Sequence, residues 1–258
     1  MKESSRNGIF EKKNMVKPNR RKRIILIPIG IIFIAVFGFL IYNTVFYPAD
    51  ETARAALGSG ENVIVSQTDY GYFFDGPSEE NLLIFYPGAK VDEIAYAPLM
   101  HELAERGMDV CLVHMPFHFA IYNQNKADGI LSEYTSYGNI YIGGHSLGGA
   151  VASIYASGHG DVLSGVILLA AYPAKPLPDS LTEISIYGSE DGVLNFDNLE
   201  ESKKNAPAEN YFYVIQGGNH AGFGNYGPQH GDSDAVITKE EQQEQTVEFI
   251  FSHLSVNE

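Results

Sequence analysis

Cysteine is nearly absent. Cys111 is the only one in the 258-residue chain, which excludes an intrachain disulfide. It sits in "DVCLVHM", an apolar run of the kind that forms a buried strand, where a thiol is inert packing rather than a nucleophile. Basic residues are scarce beyond residue 23, where eight Lys/Arg face thirty Asp/Glu, a balance of −22. Phosphate binding needs a basic face, so nucleic acid is excluded as a partner. The acids are scattered rather than blocked, as on a solvated surface. The chain shows no internal repeat and no low-complexity tract.

Charge is missing altogether from residues 24–42, "IILIPIGIIFIAVFGFLIY". As a helix at 1.5 Å per residue this run spans roughly the 30 Å hydrocarbon core of a bilayer. A buried core helix of that length would carry a polar stripe, and this one has none. A cleaved signal peptide has an apolar region of roughly 7 to 15 residues and a prompt small-x-small site, whereas Ala53 and Ala55 come late. The expectation is a transmembrane helix, or uncleaved signal anchor, over 24–43. Residues 1–23 hold nine Lys/Arg against Glu3 and Glu11, a balance of +7. Basic flanks stay on the cytoplasmic side. The chain therefore reads as a single-pass protein of the cell membrane, with a basic cytoplasmic tail at 1–23, a stalk at 44–61 ending in "GSG", and an extracellular domain at 62–258.

In that domain the apolar period keeps switching. "NVIVSQ", "YGYFF", "LLIFY", "DVCLVHM", "NIYIGG", "LSGVILLAAY", "TEISIYG" and "NYFYVIQGG" read as strands. Between them, "VDEIAYAPLMHELAERG", a stretch near 125–134, "SLGGAVASIYAS" and a stretch near 197–205 read as helices. A last helix is expected from Thr238 to Leu254, where Thr238 and Glu241 fit a capping box. Strands alternating with helices imply an α/β fold with a mainly parallel sheet covered on both faces. In such sheets chemistry sits in the loops beyond the carboxyl ends of the strands.

Three of those loops carry suitable residues. Gly144-His145-Ser146-Leu147-Gly148 matches G-x-S-x-G between a strand and a helix. A strand turning straight into a helix strains the serine backbone and lifts its hydroxyl out of the sheet. Side chains two residues to either side would collide, so glycine stands there. A serine needs a base, and the base an orienting carboxylate, in the chain order Ser, acid, His. "ISIYGSEDGVLN" supplies Asp191, with Glu190 as the competitor; the shorter acid before Gly192 suits a tight turn. "VIQGGNHAGFG" supplies His220 among glycines that give it no apolar face, with His230 as the competitor. His220, His230 and Asp232 could ligate a metal by residue type, but their spacing fits no metal pattern. An oxyanion hole would take the N–H of Leu147 and one from "FYPGAKVDE", where Ala89 follows Gly88 and Lys90 is the alternative. His114 and His118 follow another strand, as candidates for core, surface or pocket lining.

Taken together, "YPGAKVDEIAYAPL", "GGHSLGG", "YGSEDG" and "GGNHAGFGNYGPQHGD" resemble the α/β-hydrolase superfamily, and within it a compact bacterial family distantly related to dienelactone hydrolases. The resemblance spans 62–255. It implies an α/β-hydrolase fold, Ser146, Asp191 and His220 as a catalytic triad, and Ala89 and Leu147 as the oxyanion hole, with no cofactor and no metal. Dienelactone enzymes use a cysteine nucleophile, and serine stands here instead, which leaves their substrate open. The implied activity is that of a carboxylesterase-like serine hydrolase, cleaving a small ester, thioester or related acyl substrate through an acyl-enzyme. Acyl transfer to a cell-envelope acceptor is the alternative. A non-catalytic binding protein of this fold is disfavoured because no triad member is missing. There is no room for a large lid domain, and "MPFHFAIYN" is the one apolar segment placed to cover the site.

Overall fold

The computed structural model describes the backbone of residues 20–254 and, in the N-terminal helix, side chains from residue 28. Two units separate, Met1–Thr44 and Val45–Glu258. The first holds α1 (Arg20–Thr44), with Pro28 inside it. Of the expected basic tail, residues 1–19 lie outside the described residues, and so do the side chains of 24–27 in the expected membrane helix. Among the described residues no helix is long and apolar enough to cross a membrane.

The second unit contains, in order, α2 (Glu51–Ala55), β1 (Ile64–Thr68), β2 (Gly71–Asp75), β3 (Asn81–Tyr86), α3 (Ala97–Glu105), β4 (Met108–Val113) and α4 (Ala127–Glu133). There follow β5 (Asn139–His145), α5 (Leu147–Ala156), β6 (Gly165–Leu169), β7 (Thr182–Gly188), α6 (Phe196–Ser202), β8 (Glu209–Ile215) and α7 (Lys239–Ser252). The strands form one sheet in the order β1-β2-β4-β3-β5-β6-β7-β8. The β1–β2 and β2–β4 pairs are antiparallel, and every pair from β4 to β8 is parallel.

Alternation along the parallel strands builds two cores. In β3, Leu83 and Phe85 enter a core with Leu99, Met100 and Leu103 of α3 and Val247 and Ile250 of α7. Leu82, Ile84 and Tyr86 enter the opposite one, with Ile130 of α4 and Val151, Ala152 and Tyr155 of α5. Side chains two apart share a face of a strand, so a sheet buried on both sides reads as a continuous apolar run. Cys111 lies in the second core, where burial pushes its thiol up to about 12, far from a reactive thiolate. The chain leaves β3 for β4 on one side and returns to β5 on the other. This reversal of direction opens a crevice beyond the strand ends, where Tyr86 pairs with Gly144.

Two expectations are corrected. Of the stalk expected at 44–61, residues 45–57 are part of the domain: Tyr47 bridges Val91, the Asp50 N–H donates to the Asn225 carbonyl at 2.8 Å, and Ala49 and Ala53 are buried in the first core. Small alanines made this segment look unattached, yet small side chains let it lie close. The helix expected from Val91 to Gly107 is a 3-10 turn, Glu93–Tyr96, followed by α3. Pro98 has no N–H to continue an α-helical ladder through that point, so the α-helix starts beside it. The Thr238–Glu241 capping box is present with both of its hydrogen bonds.

Glu183 is the least comfortable group in the sheet. It is fully buried on β7; Ser185 Oγ donates to its Oε1 at 2.7 Å, and Oε2 has no partner among the described residues. Burial lifts its carboxyl from 4.5 to about 7. The folded chain therefore keeps a proton that the unfolded chain has released, and stability falls as pH climbs from 4.5 through about 7. Glu183→Gln should remove that slope, gaining on the wild type by about 3 kcal/mol between pH 5 and pH 8. Urea unfolding at the two pH values measures it, and an equal response of both proteins to pH would overturn the assignment.

Candidate active site

One residue makes the turn from β5 to α5. Ser146 stands at φ 53°, ψ −125°, a region that L-residues avoid, and its N–H donates to the Leu169 carbonyl at 2.9 Å. The neighbouring backbone is packed too closely for side chains. A Cβ on Gly144 would meet the Gly148 backbone at 2.7 Å, and one on Gly148 would strike the Tyr86 and Pro87 carbonyl oxygens. Glycine is required on both sides of the serine because two loops and a helix start share this space.

The acid loop follows β7. Asp191 Oδ1 accepts the Val193 and Leu194 N–H groups at 2.8 and 2.7 Å, which leaves Oδ2 to face His220 Nδ1 at 2.8 Å. Glu190, its competitor, turns away: its carboxylate accepts from Ser189 Oγ and its N–H is held by the Gly218 carbonyl. A carboxylate only accepts, so His220 Nδ1 carries the proton. His220 follows β8 and is almost wholly buried, and its Nε2 has no partner among the described residues. His230 is exposed, with its backbone N–H on Tyr47 Oη. Ser146, Leu147 and His220 line one cavity of about 240 Å³, whose remaining wall is largely apolar and small, with Ala150, Ala171, Val193 and Leu194.

Ala89 does not line that cavity. Its neighbours are engaged: the Gly88 N–H donates to Tyr96 Oη at 3.1 Å, and the Lys90 N–H to the His118 carbonyl at 2.8 Å, which removes Lys90 as a free donor. The Ala89 N–H meets no acceptor among the described residues. Leu147 is the first residue of α5, where an N–H has no intrahelical partner. His114 and His118 lie elsewhere, 2.7 and 3.7 Å from the buried Glu93 carboxylate, and do not line the cavity. Nor does the segment expected to cover it, since Phe117, Ile121 and Tyr122 stand exposed.

Three residues escaped the sequence reading. Asp232, considered there only as a metal ligand, is a clamp: Oδ1 accepts the N–H groups of Gly192, His220 and Ser233 at 3.0, 3.2 and 3.0 Å, and Oδ2 that of Ala221 at 2.8 Å. Its oxygens are spent on the loops that carry Asp191 and His220, and no metal-holding group occurs among the described residues. His145, the variable residue of the serine motif, lies wholly buried with its Nε2 3.0 Å from the His220 carbonyl and its Nδ1 2.8 Å from Tyr96 Oη. Burial, and secondarily His220, hold its imidazole well below the usual range, so it is neutral. The available signal for His145 was a polar residue ending an otherwise apolar strand; nothing local marked Tyr96 or Asp232. Asp232→Ala strips an acceptor from four N–H groups and should cost about 2 kcal/mol of stability, with Asp232→Asn intermediate. Urea unfolding of the two variants checks this, and an unchanged Asp232→Ala would refute the clamp.

Solved structures similar to this chain include a dienelactone hydrolase from Anabaena variabilis, at 12% identity and a TM-score of 0.53, covering 76% of this chain and 99% of that one. A monoglyceride lipase from Saccharomyces cerevisiae is similar at 11% identity and 0.53, covering 78% of this chain and 98% of its own. A bacterial membrane phospholipase A is similar at 13% identity and 0.54, covering 91% and 100%. At such identities these likenesses speak for the fold alone. No match was found among curated proteins. The profile described as "Alpha/beta hydrolase family" matches residues 82–244, more than half of the chain, and this chain belongs to the alpha/beta hydrolase family.

Proposed function

We propose that this hydrolase is a serine esterase acting on small, uncharged acyl compounds through an acyl-enzyme, and that its N-terminal segment anchors it in the cell membrane. One observation carries the catalytic reading: His220 is held through Nδ1 by Asp191 while its Nε2 is left unpartnered at a cavity that Ser146 also lines. A base must keep one nitrogen for the proton it takes, and a carboxylate on the other nitrogen both orients the ring and stabilises the imidazolium. In this reading Nε2 takes the Ser146 proton as Oγ attacks the acyl carbon. The Leu147 N–H, at the positive end of α5, then stabilises the tetrahedral oxyanion. The Ala89 N–H, which meets no acceptor among the described residues although it does not line the cavity, is the second donor of this reading. His220 returns the proton to the leaving group. Water, deprotonated by the same nitrogen, releases the acid. The small apolar lining of Ala150, Ala171, Val193 and Leu194 favours a short acyl chain and offers no counter-charge to an anionic one.

The anchor rests on the uncharged run at 24–42 and on the contrast between the +7 tail and the −22 remainder. Protease added to intact cells should degrade the domain and spare an N-terminal tag; the reverse pattern would invert the topology.

Ser146→Ala, His220→Ala and the double variant should each lose on the order of 10⁴ to 10⁶ in turnover of an activated p-nitrophenyl ester, because the pair works as a unit. Asp191→Asn should lose a comparable or somewhat smaller factor. Glu190→Gln and His230→Ala should stay close to the wild type. Circular dichroism confirms folding, and a fluorophosphonate should label the wild type at Ser146. An unlabelled wild type, or a Ser146→Ala protein that keeps most of its rate, would sink the proposal.

A further inference from the structure

Three polar groups of His220 are tied, and the tie at its carbonyl comes from a residue that the triad chemistry does not use. His145 precedes the nucleophile and is wholly buried, with its ring centroid 4.5 Å from that of His220. The direction of its hydrogen bonds is forced from both ends. The Gly88 N–H can only donate, so the Tyr96 oxygen accepts it at 3.1 Å; the neutral His145 carries its proton on Nε2, so its Nδ1 only accepts and the Tyr96 hydroxyl donates to it at 2.8 Å. The His220 carbonyl can only accept, so His145 Nε2 carries the proton that reaches it at 3.0 Å. One oriented chain results: Gly88 N–H to Tyr96 O–H to His145 Nδ1, then Nε2–H to the His220 carbonyl. It joins the loop after β3, the serine turn and the base loop, three segments far apart in sequence.

We infer that His145 is a positioning residue for the base, holding the His220 backbone at a set distance from Ser146 and, through Tyr96, fixing Gly88 and with it the loop that carries Ala89. The inference rests on the reading of Ser146 and His220 as nucleophile and base. Any buried histidine needs partners for its ring nitrogens, so what counts is which partners these are. Here both ring nitrogens are spent on the two loops that must meet the serine. Protonation of His145 would put a second donor on Tyr96 and break the chain. Burial opposes that, and so does the cation that forms on His220 in each turnover. The chain therefore keeps its direction through the reaction.

Two near-isosteric substitutions separate the ends of the ring. Asparagine places an acceptor near the Nδ1 position and loses the donor to His220; glutamine places a donor near the Nε2 position and loses the acceptor for Tyr96. In the purified full-length protein, His145→Asn should lower kcat by about 10- to 100-fold with little change in KM, since small displacements of a catalytic group cost factors of this size. His145→Gln should stay within about five-fold of the wild type, and Tyr96→Phe should fall between them. A readout independent of turnover is the His220 Nδ1 proton in ¹H NMR. It should be protected from exchange in the wild type and in His145→Gln, and exchange rapidly in His145→Asn. Asparagine and glutamine variants that lose kcat equally, in proportion to their loss of thermal midpoint, with the same Nδ1 proton protection, would show His145 to be packing only and overturn the inference. A wild type that is inert to esters and to fluorophosphonate would instead fail the hydrolase reading, while the proton signal still decides the tie.

Discussion

The left-handed backbone at Ser146 is the constraint around which the rest of the site is arranged. A non-glycine residue at φ 53° costs on the order of 1–3 kcal/mol and persists only where its surroundings leave no alternative. Here the Ser146 N–H continues the ladder to β6 through the Leu169 carbonyl, and Leu147 already belongs to α5. The turn has no slack. Relaxing it would mean lengthening the connection between β5 and α5, which would withdraw the helix start from the strand ends. Gly144 and Gly148 follow from the same constraint, because the Tyr86 and Pro87 carbonyls occupy the space their Cβ atoms would need. The strain is thus held by packing from two neighbouring strands, β3 and β6, and not by the turn itself.

His220 sits at the far wall of that arrangement, secured at its N–H by Asp232, at its carbonyl by His145 and at Nδ1 by Asp191. Each tie comes from a different segment. A histidine after a strand, beside Gly217 and Gly218, would otherwise have few neighbouring side chains to limit its freedom. The ties compensate for that freedom and leave Nε2 as the single unsatisfied polar atom of the residue among the described residues. An unpartnered nitrogen at a cavity wall costs free energy, and it is the observation behind the base role proposed for His220. Glu183 shows the other case, a buried oxygen without a partner far from the serine turn, whose cost appears in the pH dependence of stability.

Much of the fold was legible in the sequence because its signals are local. Apolar runs such as "LLIFY" and "VILLAAY" marked strands buried on both faces, Gly107 at φ 95° closed a helix, and Thr238 with Glu241 announced the start of α7. Failures came where the outcome was set from outside the segment. Residues 45–57 read as a stalk because the partners of Tyr47 and Asp50, Val91 and Asn225, lie far along the chain. The apolar stretch 115–123 was expected over the site, yet its exposed side chains do not reach the cavity.

By itself the sequence determined the α/β class, the glycine-flanked serine between a strand and a helix, and the order of serine, acid and histidine. The first two depend on residues within a few positions of one another, and the third is read directly from the order of the chain. Tertiary structure decided which acid meets the histidine. Asp191 and Glu190 are adjacent in sequence, but the hydrogen bonds from Val193 and Leu194 orient only Asp191 toward the ring. It also decided the three ties on His220, because Tyr96 lies 49 positions from His145, and His145 lies 75 from His220. No spacing rule spans such separations. A hydrogen bond between distant residues exists only once the sheet has brought their strand ends to one crevice.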